Sequence, residues 1–252
     1  MGESPLGDCA TEASEGITSA PAQGSPAGRM MDMTKSTLET AQQRPAERQR
    51  DPERTRAEIL KVATAEFARV GYSGARVDDM AALTRTTKRM IYYYFGGKEQ
   101  LYVAVLEQAY GDIRALEQQL NLEHLSPVEA LRTLAEVTFD YHDKHPEFIR
   151  LVAIENVHDA EHMLDSHLGG LNSPILALIK GILNRGYRDG VFHRKVKPIE
   201  VHTMMSALCF FRVSNRATVK AIFGYDMATA RTRRRQRVVI AEMLLSWLQD
   251  AR

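Results

Sequence analysis

Between Thr86 and Lys98 the chain reads TTKRMIYYYFGGK, a run of hydroxyls, cations and phenols whose chemistry suits a DNA duplex. Lys88 and Arg89 can neutralise phosphates, and Thr86, Thr87, Tyr93 and Tyr94 can donate hydrogen bonds to phosphate oxygens or base edges. Lys98 follows the Gly96-Gly97 break at the start of another helix, where free backbone N–H groups and an ammonium together suit one phosphate oxygen. A second constellation is His158-Asp159-Ala160-Glu161-His162, which matches H-x-x-E-H, the pattern of one zinc metallopeptidase class. Histidines at i and i+4 share a helix face and can hold one metal, with His167 nearby. So short a match arises readily by chance in a chain with 8 histidines. There is no G-x-S-x-G elbow and no dinucleotide fingerprint, and Gly96-Gly97-Lys98-Glu99 lacks the spacing and hydroxyl of a Walker loop. The expectation is no catalytic residue, no metal ligand, no cofactor and no enzymatic activity. A metal-sensing site at His158, His162 or His167 is the competing reading.

Three short helices must position the Thr86–Lys98 cluster. Asp51 can cap and Pro52 fits a first helical position; Ile59, Leu60, Ala63, Phe67 and Val70 then recur at helical spacing until Gly71. Val77, Met80, Ala81 and Leu83 form a second apolar face. After the polar break Thr84–Thr87 comes a third, Ile91, Tyr92 and Phe95. Helices this short do not stand alone and must pack on one another. In a helix-turn-helix the second of the pair lies in the major groove with its first residues near base edges. That helix begins at Thr86 or Thr87, and with Ile91, Tyr92 and Phe95 inward its outward set is Thr87, Lys88, Arg89, Met90, Tyr93 and Tyr94. From the residues alone, a small helical subdomain with a solvated basic face and core tyrosines remains open.

The stretch GYSGARVDDMA followed by TKRMIYYYFGGKEQLY closely resembles the N-terminal DNA-binding domain of the TetR/AcrR family of bacterial transcriptional regulators. The resemblance covers roughly residues 53 to 113 and is sharpest at Tyr-x-Tyr-Phe-x-x-Lys-x-x-Leu, Tyr92 to Leu101. It implies an all-α protein and DNA contacts from Arg76, Thr86, Thr87, Lys88, Arg89, Tyr93, Tyr94 and Lys98. Two departures stand out. The family often places Ala-Gly-Val-Ser in the turn where this chain has Thr84-Arg85-Thr86-Thr87, which puts Arg85 where a positive φ is expected. Ala75-Arg76 stands where the family often has a hydroxyl cap, although Asp78 and Asp79 favour the positive end of the helix.

Charge follows the motif. The chain has 252 residues, 44% hydrophobic, with a net charge of only +1. Residues 52–98 hold nine Lys/Arg against five acids, whereas residues 1–51 hold five against eight and the remainder balances. Positive charge is concentrated where DNA contact is expected. No apolar run approaches the roughly 20 residues that span a membrane, and a secretory signal pattern is lacking. Cys9 and Cys209 are too few for a disulfide framework, so a cytoplasmic protein is expected. Residues 1–50, rich in Gly, Ser, Ala, Pro, Thr and Glu, read as a disordered tail. Met30, Met31 and Met33 within it are candidates for the translation start, and Arg44, Arg48 and Arg50 form a basic arm that can enter a minor groove.

Residues 51–98 therefore read as the DNA-binding domain and 99–252 as a ligand-binding and dimerisation domain, nine or ten helices in all. Leu101, Val105, Ala109, Ile113, Leu116 and Leu120 mark a long helix that joins the two. Further helices open at Ser126-Pro127, His145-Pro146, Ser173-Pro174, Pro198 and Thr229. The Pro198 helix is expected to run to about Val219 and the last to end at Asp250. Arg231, Arg233, Arg234, Arg235 and Arg237 read as a solvated face. The resemblance implies a dimer four-helix bundle from the last two long helices, with Met204, Leu208, Val239, Met243, Leu244 and Trp247 as candidates. It also implies a small-molecule pocket, for which Tyr141, His145, Phe148, Asn156, Met204 and Phe211 are candidates. The function it implies is a homodimeric repressor released from a palindromic, double-stranded operator by a small organic effector. The alternative is a helical ligand- or metal-binding dimer with altered or lost DNA binding.

Overall fold

The computed structural model describes residues 51–163 and 173–250, so the tail with its basic arm, and His167, lie outside the described residues. Ten α-helices and one 3-10 turn make up the described secondary structure. The order is α1 Pro52–Gly74, α2 Val77–Leu83, α3 Lys88–Phe95, α4 Lys98–Gln118, α5 Pro127–Lys144, α6 Pro146–Val157, the 3-10 turn Glu161–Met163, α7 Ser173–Arg188, α8 Pro198–Ser214, α9 Arg216–Phe223 and α10 Ala230–Gln249.

Local sequence explains most boundaries. The Asp51 carboxylate accepts from the Glu53 N–H at 3.1 Å with Pro52 behind it, and α1 breaks its helical geometry at Gly71, φ 75°. Ser126 and Glu129 form a reciprocal capping box that starts α5. One boundary departs from expectation. The Pro198 helix stops at Ser214, and after Asn215 the separate helix α9 runs to Phe223, where Gly224 closes it at φ 64°. Apolar spacing alone carries no mark of that break.

Two main cores result. One joins α1, α2 and α3 to α4, α5 and α6, from Ile59, Phe67, Met80 and Ile91 through Leu101, Tyr102 and Val105 to Phe148 and Leu151. It is continuous across residue 98, so the helix-turn-helix packs directly on the helices that follow it. The other fills the space among α5, α7, α8 and α10 with Leu131, Ile179, Val201, Met205, Leu244 and Leu248. The arginine run at the start of α10 is more engaged than a solvated face. Arg233 pairs with the buried Asp143 at 2.5 Å, and Arg237 pairs with Glu136 at 2.9 Å and Asp140 at 3.1 Å, all on α5, while Arg231, Arg234 and Arg235 are exposed.

Candidate functional site

The α2–α3 pair is built as a helix-turn-helix whose outward face carries the chemistry. Val77, Met80 and Ala81 anchor α2 in the core. Leu83, placed on that apolar face from sequence, is instead 62% exposed, and Thr84 takes the inward position with its hydroxyl donating to the Met80 carbonyl at 2.9 Å. The chain then turns through Arg85 at φ 50°, the left-handed conformation that glycine meets without strain. Arg76 is exposed at the start of α2 and provides no side-chain cap, so Asp78 and Asp79 in the first turn are what favour that helix end.

Helix α3 begins at Lys88, with Thr87 as its cap: the Met90 N–H donates to the Thr87 hydroxyl at 3.3 Å. Thr86 is not the first residue of the helix, and its Oγ1, expected to contact DNA, is covered by protein with no hydrogen-bond partner. Only Ile91 and Phe95 of α3 are buried. Tyr92, expected inward, is 45% exposed: an eight-residue helix presents one i, i+4 pair to its neighbours, and position 92 lies about 80° round from the middle of that pair. Tyr94, expected outward, is half-buried and packs on the core, with Tyr93 edge-on to it at 5.3 Å. The exposed set is thus Thr87, Lys88, Arg89, Tyr92 and Tyr93.

Two cations here are already engaged. Lys88 Nζ lies 3.0 Å from Asp78 Oδ2, an exposed pair whose hydrogen bond and charge raise the lysine's pKa. Such pairs are weak, so a phosphate can compete for the ammonium. Lys98 opens α4 behind Gly96, whose φ of 84° makes the turn, and its ammonium stands 4.7 Å from the centre of the Tyr72 ring. Partial burial lowers the Lys98 pKa.

Tyr72 connects this end of the site to the rest of the molecule. Its ring lies 4.5 Å from the His162 imidazole and 5.2 Å from Tyr102. His162 Nδ1 is 3.2 Å from the buried Glu155 carboxylate of α6, and the Tyr102 phenol is pushed well up by burial and then by Glu155. These contacts revise the H-x-x-E-H reading. Helix α6 ends at Val157 and the chain passes through left-handed Asp159 and Ala160, so His158 is exposed while the His162 side chain is buried against Glu155. They do not share a helix face. Among the described residues no three His, Cys, Asp or Glu side chains are grouped to hold a metal.

Of the six residues expected to line a pocket, Tyr141, His145 and Phe148 come together, while Asn156, Met204 and Phe211 lie elsewhere. Tyr141 and Phe148 are buried and meet edge-on at 5.8 Å. His145 sits half-buried at the α5–α6 junction, stacked on the Tyr141 ring at 4.3 Å and paired with Glu147 at 3.1 Å. Asn156 is exposed with its amide donating to the Val152 carbonyl. Phe211 is 55% exposed on α8, and Met204 belongs to another surface. That surface is a groove between α8 and α10 lined by all six residues expected at the dimer interface, Met204, Leu208, Val239, Met243, Leu244 and Trp247, with Glu242 and Ser246. Sequence reasoning missed the polar cluster of Arg114, Glu117, His142 and His202 between α4, α5 and α8; buried charge in an otherwise apolar helix stripe was the available signal.

Comparison with known proteins agrees with this geometry. Residues 59–105 match the model of the tetR family of bacterial regulatory proteins, and residues 127–244 match that of the tetracyclin repressor-like C-terminal domain. The chain is 33% identical over 203 residues to the HTH-type transcriptional repressor NicS of Pseudomonas putida, covering 80% of this chain and 96% of that one. It is 40% identical over 110 residues to the HTH-type transcriptional repressor SCO4008 of Streptomyces coelicolor, covering 43% of this chain and 53% of the other. The ketosteroid transcriptional regulator KstR2 of Mycobacterium tuberculosis shares the fold, with a TM-score of 0.60 at 19% identity over 77% of this chain and 95% of that one.

Proposed function

Because the chain belongs to the TetR family of DNA-binding transcriptional regulators, we propose that it is a homodimeric repressor whose α3 helices read two half-sites of a palindromic operator and which a small organic effector releases. The observation that carries this reading is the α2–α3 unit itself. A Thr87-capped helix is anchored by Ile91 and Phe95 and turns Thr87, Lys88, Arg89, Tyr92 and Tyr93 outward. Arg76 and Lys98 flank it and position the domain on phosphates, while the start of α3 reads base edges. The α8–α10 groove supports dimerisation: exposed Val239 and Met243 line it, and a four-helix interface would cover them. The boundary near residue 98 divides the DNA-contacting part from the effector and dimer part, although one core spans it.

No helix among the described residues is long and apolar enough to cross a membrane, which supports a cytoplasmic regulator. A metal-sensing alternative has no support in the placement of His158 and His162. The test is a mobility shift with the DNA flanking the protein's own gene, together with the mass of the protein in solution. A retarded band that survives excess nonspecific DNA, and a dimer mass, are expected. A monomer without sequence preference would refute the reading.

Effector control requires that the ligand favour one spacing of the two α3 helices over another, since equal affinity for both shifts nothing. Helix α4 carries this coupling. Its first residue is Lys98 and its fourth and fifth turns carry Tyr110 and Arg114, so displacement at one end moves the other. The Tyr72, Tyr102, His162 and Glu155 cluster ties α1 and α4 to α6 in the same region.

A further inference from the structure

Among the buried polar atoms of α4, α5 and α8 that lack a hydrogen-bond partner, four belong to Arg114, Glu117, His142 and His202. Arg114, Glu117 and His142 are 6%, 2% and 4% exposed, and Arg114 Nη1 pairs with Glu117 Oε2. Arg114 Nε, Glu117 Oε1, His142 Nδ1 and His202 Nδ1 meet no hydrogen-bond partner. Folded proteins leave few such groups, and each calls for an explanation. They form one neighbourhood, since the Arg114 charge acts on His142, His202, Tyr110 and Tyr141. Beside them stands an aromatic wall: Phe148 meets Tyr110 edge-on at 5.3 Å and the His142 ring at 5.7 Å.

We propose that Arg114, Glu117, His142 and His202 form the polar face of the effector site, and that the effector is a small, uncharged, planar ring compound carrying a hydrogen-bond acceptor beside a donor, as lactams and aromatic amides do. The proposal rests on the effector-controlled reading above. Arg114 Nε–H needs an acceptor and Glu117 Oε1 needs a donor, and at i and i+3 the two lie on one face of α4. A ring amide presents C=O and N–H side by side and satisfies both ends without adding charge to a neutral ion pair. A carboxylate would serve Arg114 but meet Glu117 with like charge. The imidazoles cannot offset it: burial first, then the neighbouring positive charge of Arg114, holds both near a pKa of about 4, so protonating one at pH 7 carries about a thousandfold penalty. As a neutral ring His142, whose other nitrogen bonds the Cys209 backbone, presents Nδ1 as an acceptor, and His202 supplies a donor or an acceptor according to tautomer. The aromatic wall suits a flat ring. The four atoms are covered by protein, so a ligand that reaches them parts α4 from α5, and movement of α4 is what re-spaces the α3 helices.

The full-length protein is titrated calorimetrically with 2-pyridone and benzamide as neutral probes and with benzoate as the anion, between pH 6 and 8, and operator binding is measured alongside. Binding of the neutral probes that is independent of pH is expected, and at pH 7 benzoate binds at least tenfold more weakly. The double variant Arg114→Met/Glu117→Leu replaces the ion pair by apolar chains of similar length, an exchange that folds tolerate. It should keep its thermal midpoint and lose at least tenfold in probe affinity. Should it unfold, His202→Leu at a half-buried position reads the same loss. Preferential binding of benzoate, no binding of either neutral probe, or unchanged probe affinity in the folded variant overturns the proposal. The regulatory reading fails separately, if the parent protein binds no operator in the absence of probe.

Discussion

Lys98 and Lys88 occupy different environments at the DNA face, and their substitution should separate two kinds of contact. Lys98 is half-buried over Tyr72 at the start of α4, a place suited to a phosphate but not to a base edge. Lys98→Ala is expected to weaken binding to every sequence and to lower the log–log salt slope by about one unit. Lys88→Ala or Arg89→Ala should alter which operator variants bind, at about 1–3 kcal/mol of discrimination. Equal effects of all three on all sequences would count against this assignment. His142 makes a separate, acid-side prediction. Burial, the largest influence, lowers its pKa from the ordinary 6.5 to about 4, so the unfolded chain takes up the proton more readily. Its stabilising contribution is therefore complete above about pH 6.5 and lost as pH falls toward 4. Urea midpoints should fall across that window, and His142→Gln should flatten the fall; a midpoint constant from pH 6.5 to 4 would contradict the buried, neutral imidazole.

The turn between α2 and α3 and the end of α7 show how single positions set element geometry. Arg85 holds φ at 50°, where a side chain costs about 1–2 kcal/mol that glycine does not incur, while glycine costs about 0.5–1 kcal/mol in the unfolded chain. Arg85→Gly should leave thermal stability unchanged or raised by up to about 1 kcal/mol, and a clear drop in melting temperature would mean that the arginine side chain contributes more than its strain removes. Gly186 lies where α7 closes over Phe192. The backbone N–H groups of Val191 and Phe192 both donate to its carbonyl, and a Cβ there would stand 2.0 Å from the buried Phe192 ring. Gly186→Ala is expected to destabilise by about 1–3 kcal/mol through overpacking, read as a lowered denaturation midpoint. Gly71 and Gly96, by contrast, are needed for their positive φ rather than for space.

At the scale of the whole molecule, the α8–α10 groove is the place where a second copy is expected. Met243 is exposed beside it, with Leu244 and Leu248 beneath in the core. Met243→Glu would place a charge at the centre of that face while leaving the monomer core intact. The variant should sediment as a monomer and lose operator affinity, since one α3 reads only a half-site. A folded dimer with undiminished binding would move the interface elsewhere.

The all-helical fold and the helix starts at Pro52, Pro127, Pro146 and Pro198 were legible from local spacing, and the family resemblance pointed to the left-handed turn at Arg85. Caps, prolines and apolar periodicity act within one turn of helix. The family resemblance lay in the same kind of short-range pattern, Tyr92 to Leu101. What local pattern does not contain is which side of a short helix its neighbours cover. Hence Tyr92 and Tyr94 exchange places, Leu83 faces outward, and Met204 and Phe211 leave the expected pocket for the surface. The break at Asn215 and the pairing of the α10 arginines with α5 depend on partners far away in sequence. So does the gathering of Arg114, Glu117, His142 and His202 from three helices. Residue types fixed what each side chain can do, and long-range packing decided which of them meet.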